Sequence, residues 1–325
     1  MRYKNILVTG GSGFIGSAFI LFALDKVNKI VNLDLLTYAA QELLIDDLRY
    51  HFVYGDICNE ALVEALCLEH KIDAIVHCAA ESHVDRSITS PKTFLKTNVE
   101  GTVALLEVVR RHPSIHFHHI STDEVYGSSL EGRFHEGSPY KPNSPYAASK
   151  AASDHFVRAY QHTYGLSTTI SHCTNNYGPR QFPEKLIPLM ILNCLKNKPL
   201  PIYGNGLNVR DWIFVEDHAE AIFQILQYGI PGEVYGVSAE VEKSNVQLIS
   251  ELIQEVARAT SQDLVQLEQL ITYVTDRPGH DKRYAIDSTK IRKELGWRPR
   301  CMFAEGLRRT INWYINASFN LHSNV

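Results

Sequence analysis

No excess of lysine and arginine marks this chain for a nucleic-acid partner: 32 basic side chains stand against 36 acidic ones, a formal charge of −4, and no basic run could neutralise a phosphate backbone. Paired cysteines are missing too. Cys58, Cys67, Cys78, Cys173, Cys194 and Cys301 are scattered without a Cys-x-x-Cys pair, which suits neither a disulfide framework nor a thiolate metal site and makes a reducing cytoplasm the expected compartment. The apolar run from Ile6 is broken by Gly10, Gly11, Gly13 and Gly16 and closed by Asp25 and Lys26. It therefore reads as neither a signal peptide nor a membrane span of about 20 residues. Internal repeats and low-complexity segments are absent as well.

What the sequence has is length and alternation. With 325 residues, 45% of them apolar, it can bury the core of one large α/β unit or of two closely joined lobes. Asn5 to Thr9 reads as a strand, Phe14 to Lys26 as a helix and Lys29 to Asp34 as the next strand. The pattern continues with strands over 51–54, 73–79, 115–121 and 166–173, separated by helices over 59–70, 91–111 and 144–164. Such alternation predicts a doubly wound parallel sheet covered on both faces, a Rossmann α/β fold. After Tyr177, Pro179, Pro183, Pro188, Pro199, Pro201, Gly204 and Gly206 change the texture. We therefore expect a dinucleotide-binding domain over 1–178, with segments near 210–237 returning to it, and a smaller lobe over 179–325 that binds the substrate.

Gly10-x-x-Gly13-x-x-Gly16 follows the first strand and opens the first helix. Bare glycines there let the backbone approach a pyrophosphate seated on the positive helix N-terminus. Asp34 ends the second strand, where a carboxylate accepts both ribose hydroxyls and repels a 2′-phosphate, so the expected cofactor is NAD rather than NADP. Asp56 is placed either to meet the adenine edge or to cap a turn.

Tyr146 and Lys150 stand at i and i+4 near the start of a helix, which puts phenol and ammonium on one face. A lysine beside a tyrosine would lower the phenol's pKa and let it take a proton from a hydroxyl as hydride leaves. Upstream, Thr122-Asp123-Glu124 closes a strand. A helix N-cap with acids near the dipole explains that triplet locally, but its company with Tyr146 and Lys150 favours chemistry. His112, His116, His118 and His119 crowd one strand. Positions 116 and 118 face one way and 119 the other, with no carboxylate or cysteine to complete a set, so they read as packing and no metal is expected.

Several ordered motifs give the chain a clear resemblance to the extended short-chain dehydrogenase/reductases, and more narrowly to the dTDP-glucose 4,6-dehydratases. They are Thr9-Gly-Gly-Ser-Gly-Phe-Ile-Gly16, Ala79-Ala-Glu-Ser-His-Val-Asp-Arg86, Thr97-Asn-Val-Glu-Gly101, Ser121-Thr-Asp-Glu-Val-Tyr-Gly127, Ser144-Pro-Tyr-Ala-Ala-Ser-Lys150, Asn175-Asn-Tyr-Gly-Pro179, Phe182-Pro-Glu-Lys-Leu-Ile-Pro188 and Val209-Arg-Asp-Trp212. The resemblance implies a cytoplasmic lyase with tightly bound NAD. It would oxidise C4 of dTDP-glucose, eliminate water across C5 and C6 with Glu124 as base and Asp123 as acid, and return hydride to C6. Thr122 would hydrogen-bond the sugar near O4.

The resemblance also implies that Phe14, Ile15, Thr37, Ile57, Ala79, Ala80, Ser82, Thr97 and Asn176 join the cofactor site. His83, Asn175, Lys185, Leu186, Tyr203, Arg210, Asn245, Arg277 and His280 would contact substrate, Arg210 gripping the diphosphate. A homodimer would form through a four-helix bundle built from the helices near 91–111 and 144–164. Arg180-Gln181 stands where bacterial dTDP-sugar dehydratases commonly show tyrosine and histidine, and the stretches 39–48 and 127–146 also depart, so a UDP-glucose 4,6-dehydratase stays open. A C4 epimerase or reductase on the same scaffold would have no use for Asp123-Glu124. A non-catalytic NAD-binding regulator would be expected to show a damaged catalytic set, and none is visible.

Overall fold

The computed structural model describes residues 1–322, with side chains through residue 317. Its strands are β1 (Asn5–Thr9), β2 (Lys29–Asp34), β3 (Tyr50–Tyr54), β4 (Ala74–His77), β5 (His116–Thr122), β6 (Thr168–Cys173), β7 (Asn175–Tyr177), β8 (Leu200–Tyr203), β9 (Val209–Phe214), β10 (Val234–Val237), β11 (Glu242–Ser244), β12 (Ile271–Val274) and β13 (Arg283–Tyr284). Seven of them form one parallel sheet in the order β10-β6-β5-β4-β1-β2-β3. Helices on both faces leave β4, β5 and β6 buried along their whole length, which is why these strands read as continuous rather than alternating runs. Strand order reverses between β1 and β4. Carboxyl ends at such a switch point open a crevice for ligands.

The smaller lobe is built on two short sheets, β11-β9-β13 with β7 alongside, and β12-β8. Against them the helices Leu186–Leu195, Asn245–Thr260 and Phe303–His322 bury Ile187, Met190, Leu252, Leu307 and Tyr314 around Trp212. The chain returns to the large sheet at Val215. The helix Val215–Tyr228 sets Ala219, Ile222 and Phe223 against Phe19 and Ile20, and β10 then joins β6.

The helix Pro145–Tyr164 starts with Ser144 accepting from the Ala147 N–H (3.1 Å) and Pro145 at its first position, and it stops at Gly165 in the left-handed region. The single helix expected over 91–111 is instead three consecutive pieces, with Leu95–Glu100 wound as a π-helix. Asn98 lies in that wider turn. Its side chain accepts from the Glu81 N–H (2.8 Å) and donates to the Glu81 carbonyl (3.0 Å) and Ser149 Oγ (2.8 Å), tying the loop after β4 to the 145–164 helix. A short helix, Val84–Thr89, also follows β4 where none was expected.

The β5 histidines are packed and neutral. His116 Nε2 and His118 Nδ1 both meet Thr169 Oγ1 at 2.9 Å on one face, while His119 points to the other. His112 lies outside the sheet and pairs with Glu64 at 2.7 Å. Burial holds His116 down to about 3, His119 to about 4 and His218 to about 3. A depressed imidazole pKa contributes stability that is present above about 6.5 and lost as pH falls towards the folded value. Buried carboxyls such as Asp211, raised to about 6, titrate in the opposite sense, so the test is differential. Between pH 7 and pH 5, urea titrations of His116→Gln should show a loss of stability smaller than wild type by about 2 kcal/mol. Equal losses would remove His116 from this account.

Candidate active site

At the carboxyl ends of β1 and β4 lies a cavity of about 480 Å³ lined by every residue that the sequence assigns to the cofactor. The glycines define its floor. A Cβ on Gly16 would lie 2.2 Å from the Gly10 carbonyl oxygen, and one on Gly10, whose φ is +67°, would lie 2.6 Å from the Ala79 backbone. Only bare backbone packs so closely against backbone at the N-terminus of the helix Phe14–Ala23, an end suited to an anionic ligand.

Asp34 accepts from the Ser12 N–H (2.9 Å) and the Leu36 N–H (2.8 Å), bonds that fix its carboxylate and still leave lone pairs for ribose hydroxyls. Asp56 does two things at once, lining the cavity and accepting from the Cys58 N–H at 2.9 Å as a turn cap. Glycine floor, helix terminus and acidic strand end together fit a dinucleotide without a 2′-phosphate.

Facing this floor, β5 delivers Thr122, Asp123 and Glu124 to the cavity wall, and the 145–164 helix brings Tyr146 and Lys150. Thr122 caps the single turn Asp123–Tyr126. Its hydroxyl accepts from the Glu124 N–H (3.3 Å) and donates to Asp123 Oδ1 (3.3 Å).

The two carboxyls differ in surroundings. Burial pushes Asp123 well above the ordinary carboxylate range, and the neighbouring charges of Glu124 and Asp211 push the same way. Burial also raises Glu124, but Arg210, Arg277 and Lys185 oppose the rise. Both carboxyls are therefore raised, Asp123 well above its ordinary range with Arg210 as the one opposing cation and Glu124 with three, so that Asp123 is the stronger proton holder of the pair.

Lys150 Nζ donates to the Ile120 carbonyl (2.8 Å) and lies 3.3 Å from His119 Nε2. The i, i+4 spacing fixes a shared face, but not where a long side chain points. Burial, followed by the charge of Glu124, raises the Tyr146 phenol well above its ordinary value.

Behind Lys150 sits a group for which the sequence offered no signal beyond helical spacing. Asp154 accepts from Ser121 Oγ, Tyr140 OH and His172 Nε2, each at 2.9 Å, with His119 Nε2 at 3.3 Å. Burial alone would raise its pKa, yet hydrogen bonds from His119 and His172 hold it far below the usual range. Its charge in turn helps keep Lys150 protonated against burial.

Among the residues expected to meet substrate, Thr122, Asn175 and Lys185 line the cavity. Others stand beyond its wall. Arg210 lies over the Tyr284 ring at 4.1 Å and donates to the Asp281 (2.9 Å) and Val209 (2.8 Å) carbonyls. Tyr203 OH and Arg277 Nη1 converge on Asp85 at 3.3 and 3.1 Å, and His280 pairs with Asp276 at 2.6 Å. His83 is 3.8 Å from Glu184, Leu186 packs into the core of the smaller lobe, and the Asn245 N–H donates to the Asn208 carbonyl (3.1 Å).

Glu184, within the Phe182-Pro-Glu-Lys185 block but given no role from sequence, lines the cavity. It takes the Tyr38 hydroxyl at 2.9 Å and Arg86 Nε at 3.1 Å, and the Arg86 guanidinium lies over the Tyr38 ring at 3.7 Å. Among the described residues no group of three or more histidines, cysteines or carboxylates is placed to hold a metal ion.

Comparison with known proteins places these features in company. The family model described as GDP-mannose 4,6 dehydratase matches residues 7–310. A dTDP-glucose 4,6-dehydratase of Neisseria gonorrhoeae is 49% identical over 332 residues, 96% of each chain. In structure, the dTDP-glucose 4,6-dehydratase of Streptomyces venezuelae, crystallised with NAD and TYD bound, is similar at a TM-score of 0.89 with 44% identity over 97% of both chains. A UDP-glucose 4-epimerase of Thermotoga maritima reaches a TM-score of 0.87 at 26% identity, covering 97% of this chain and 99% of its own.

The glycine floor yields a test. In Gly16→Ala the new methyl group would collide with the Gly10 carbonyl, so calorimetric titration should show NAD affinity reduced at least about tenfold while far-ultraviolet dichroism stays unchanged. An unaltered affinity would show that the cofactor rests elsewhere.

Proposed function

The chain belongs to the GDP-mannose 4,6 dehydratase family, and from that premise we propose that it removes water from dTDP-glucose, giving dTDP-4-keto-6-deoxyglucose with NAD as cofactor. The observation that carries this reading is the unequally raised pair Asp123 and Glu124 beside Tyr146. A fold shared with epimerases does not discriminate, whereas an epimerase has no step that needs a second acid and base.

In this reading Tyr146, as phenolate, takes the proton from the C4 hydroxyl. Bound NAD would accept the C4 hydride, later return it to C6 and lend the positive charge of its nicotinamide to the phenol's surroundings. The C4 ketone makes the C5 proton acidic, and Glu124 removes it while Asp123 gives its proton to the C6 hydroxyl, which leaves as water. Glu124 then hands its proton back to C5. Lys150, fixed by the Ile120 carbonyl, supplies a positive charge at the cavity wall. Lys185 and Arg210 are suited to diphosphate oxygens, and Asn175, Tyr203, Arg277 and His280 would frame the sugar and base.

The same reading assigns residues 1–178, with segments near 210–237 returning, to the cofactor domain and mainly 179–325 to substrate binding. It includes a homodimer in which the exposed Leu95, Phe156 and Tyr164 cover their counterparts across a four-helix bundle. It also sets the enzyme in the cytoplasm, in keeping with unpaired cysteines and the lack, among the described residues, of a helix long and apolar enough to cross a membrane.

Incubation with dTDP-glucose in heavy water should yield a 4-keto-6-deoxy product carrying deuterium at C5. A product without either mark would sink the proposal, and faster turnover of UDP-glucose would reassign the base. Asp123→Asn should slow overall turnover by about 10²–10⁴-fold while sparing oxidation, so that reduced cofactor accumulates. Unchanged turnover would release Asp123 from its role.

A further inference from the structure

The proposed dehydration, on which this inference rests, asks two separate elements to work on one sugar. Oxidation at C4 belongs to Tyr146 on the helix Pro145–Tyr164, while elimination across C5 and C6 belongs to Asp123 and Glu124 in the turn after β5. Each set can be well formed by itself and still fail if the spacing between the two drifts. The carboxyl pair has to be held in place relative to the phenol.

A buried carboxylate on the phenol's own helix meets that need. Asp154 lies two turns beyond Tyr146 and has no surface exposure. Ser121, the residue before Thr122-Asp123-Glu124, donates its hydroxyl to Asp154 Oδ2 at 2.9 Å. His172 Nε2 lies 2.9 Å from the same oxygen, and His172 Nδ1 lies 2.7 Å from the hydroxyl of Tyr126, which ends the turn Asp123–Tyr126. Its donors keep Asp154 ionised, and an ionised carboxylate only accepts. The proton on His172 Nε2 therefore faces Asp154, and in the neutral ring Nδ1 receives the Tyr126 O–H. One carboxylate thus grips the triplet at both ends, directly through Ser121 in front and through His172 and Tyr126 behind. Asp154, His172 and Tyr126 are not among the residues that line the cavity, so they act on the sugar only through the groups they hold.

We propose that Asp154 is a positioning residue, which sets the carboxyl pair against the phenol by clamping both ends of Thr122-Asp123-Glu124 to the helix that carries Tyr146. Opening this clamp has a selective effect. Tyr146 and Lys150 stay on their helix, with Lys150 still tied to the Ile120 carbonyl, whereas the triplet loses its anchors. Elimination therefore loses alignment before oxidation does, and a misplacement of about 1 Å costs about 10²-fold in rate.

Stopped-flow absorbance of the reduced cofactor, after NAD-loaded enzyme is mixed with dTDP-glucose, reads the two steps apart: the signal grows with oxidation and decays once elimination lets hydride return. Tyr126→Phe removes a single hydroxyl and opens the rear of the clamp. Its growth phase should stay within about twofold of wild type while its decay slows at least about tenfold. Asp154→Asn should show the same selective slowing, and the double variant should decay no more slowly than Asp154→Asn alone, because both changes open one chain of bonds. A merely structural loss would lower the amplitude and leave both rates unchanged. That outcome, equal slowing of both steps, unchanged decay in Tyr126→Phe, or additive slowing in the double variant would overturn the clamp, and Tyr126→Phe decides by itself if Asp154→Asn does not fold. Wild-type enzyme that makes no 4-keto-6-deoxy product from dTDP-glucose would instead refute the reading beneath it.

Discussion

Two carboxyl groups on adjacent residues, both withdrawn from water, cannot both carry charge at ordinary cost. Asp123 and Glu124 are in that position, and the architecture around them resolves the conflict by giving each a different environment. Burial together with Glu124 and Asp211 surrounds Asp123 with influences that keep it neutral. Arg210, Arg277 and Lys185 surround Glu124 with influences that favour its charge. Acid and base are thus distinguished by neighbours, since as isolated side chains the two would titrate almost alike.

The other wall of the cavity is organised by a second buried charge. Asp154 gathers Ser121, Tyr140, His172 and His119 around itself and lies one helical turn beyond Lys150. An ammonium without surface exposure needs a compensating anion, and Asp154 is the first charge found behind it. Three polar residues on β5 and β6 that look like interruptions of a core, Ser121, His119 and His172, together with Tyr140 from the loop before the 145–164 helix, are the donors that make this anion tolerable.

Local causes were legible in the sequence. The glycine floor is a matter of steric room within a few residues of chain, so spacing alone located it, and the strand-end position of Asp34 followed from the same βαβ pattern. Side-chain direction was not legible. Tyr146 and Lys150 share a face as their spacing requires, yet Lys150 reaches for a strand carbonyl whose place depends on sheet packing. The Asn98 bonds that accompany the π-turn depend on Glu81 and Ser149, far away along the chain. Glu184 was visible inside a motif, but its partners Tyr38 and Arg86 come from the loop after β2 and the short helix Val84–Thr89, and no periodicity announces such a meeting.

Both carboxyls of the reactive pair lie before residue 178, whereas Arg210, Arg277 and Lys185, which oppose the rise of Glu124, and Asp211, which adds to that of Asp123, all lie after. The difference between an acid and a base at this site is therefore not a property of the strand that carries them. It is written across the junction of the two lobes. A fragment ending at Tyr177 would retain the glycine floor, the phenol and both carboxyls, yet hold two carboxyls of much the same kind, so that the division of labour between them is something the chain acquires only when its second half folds onto its first.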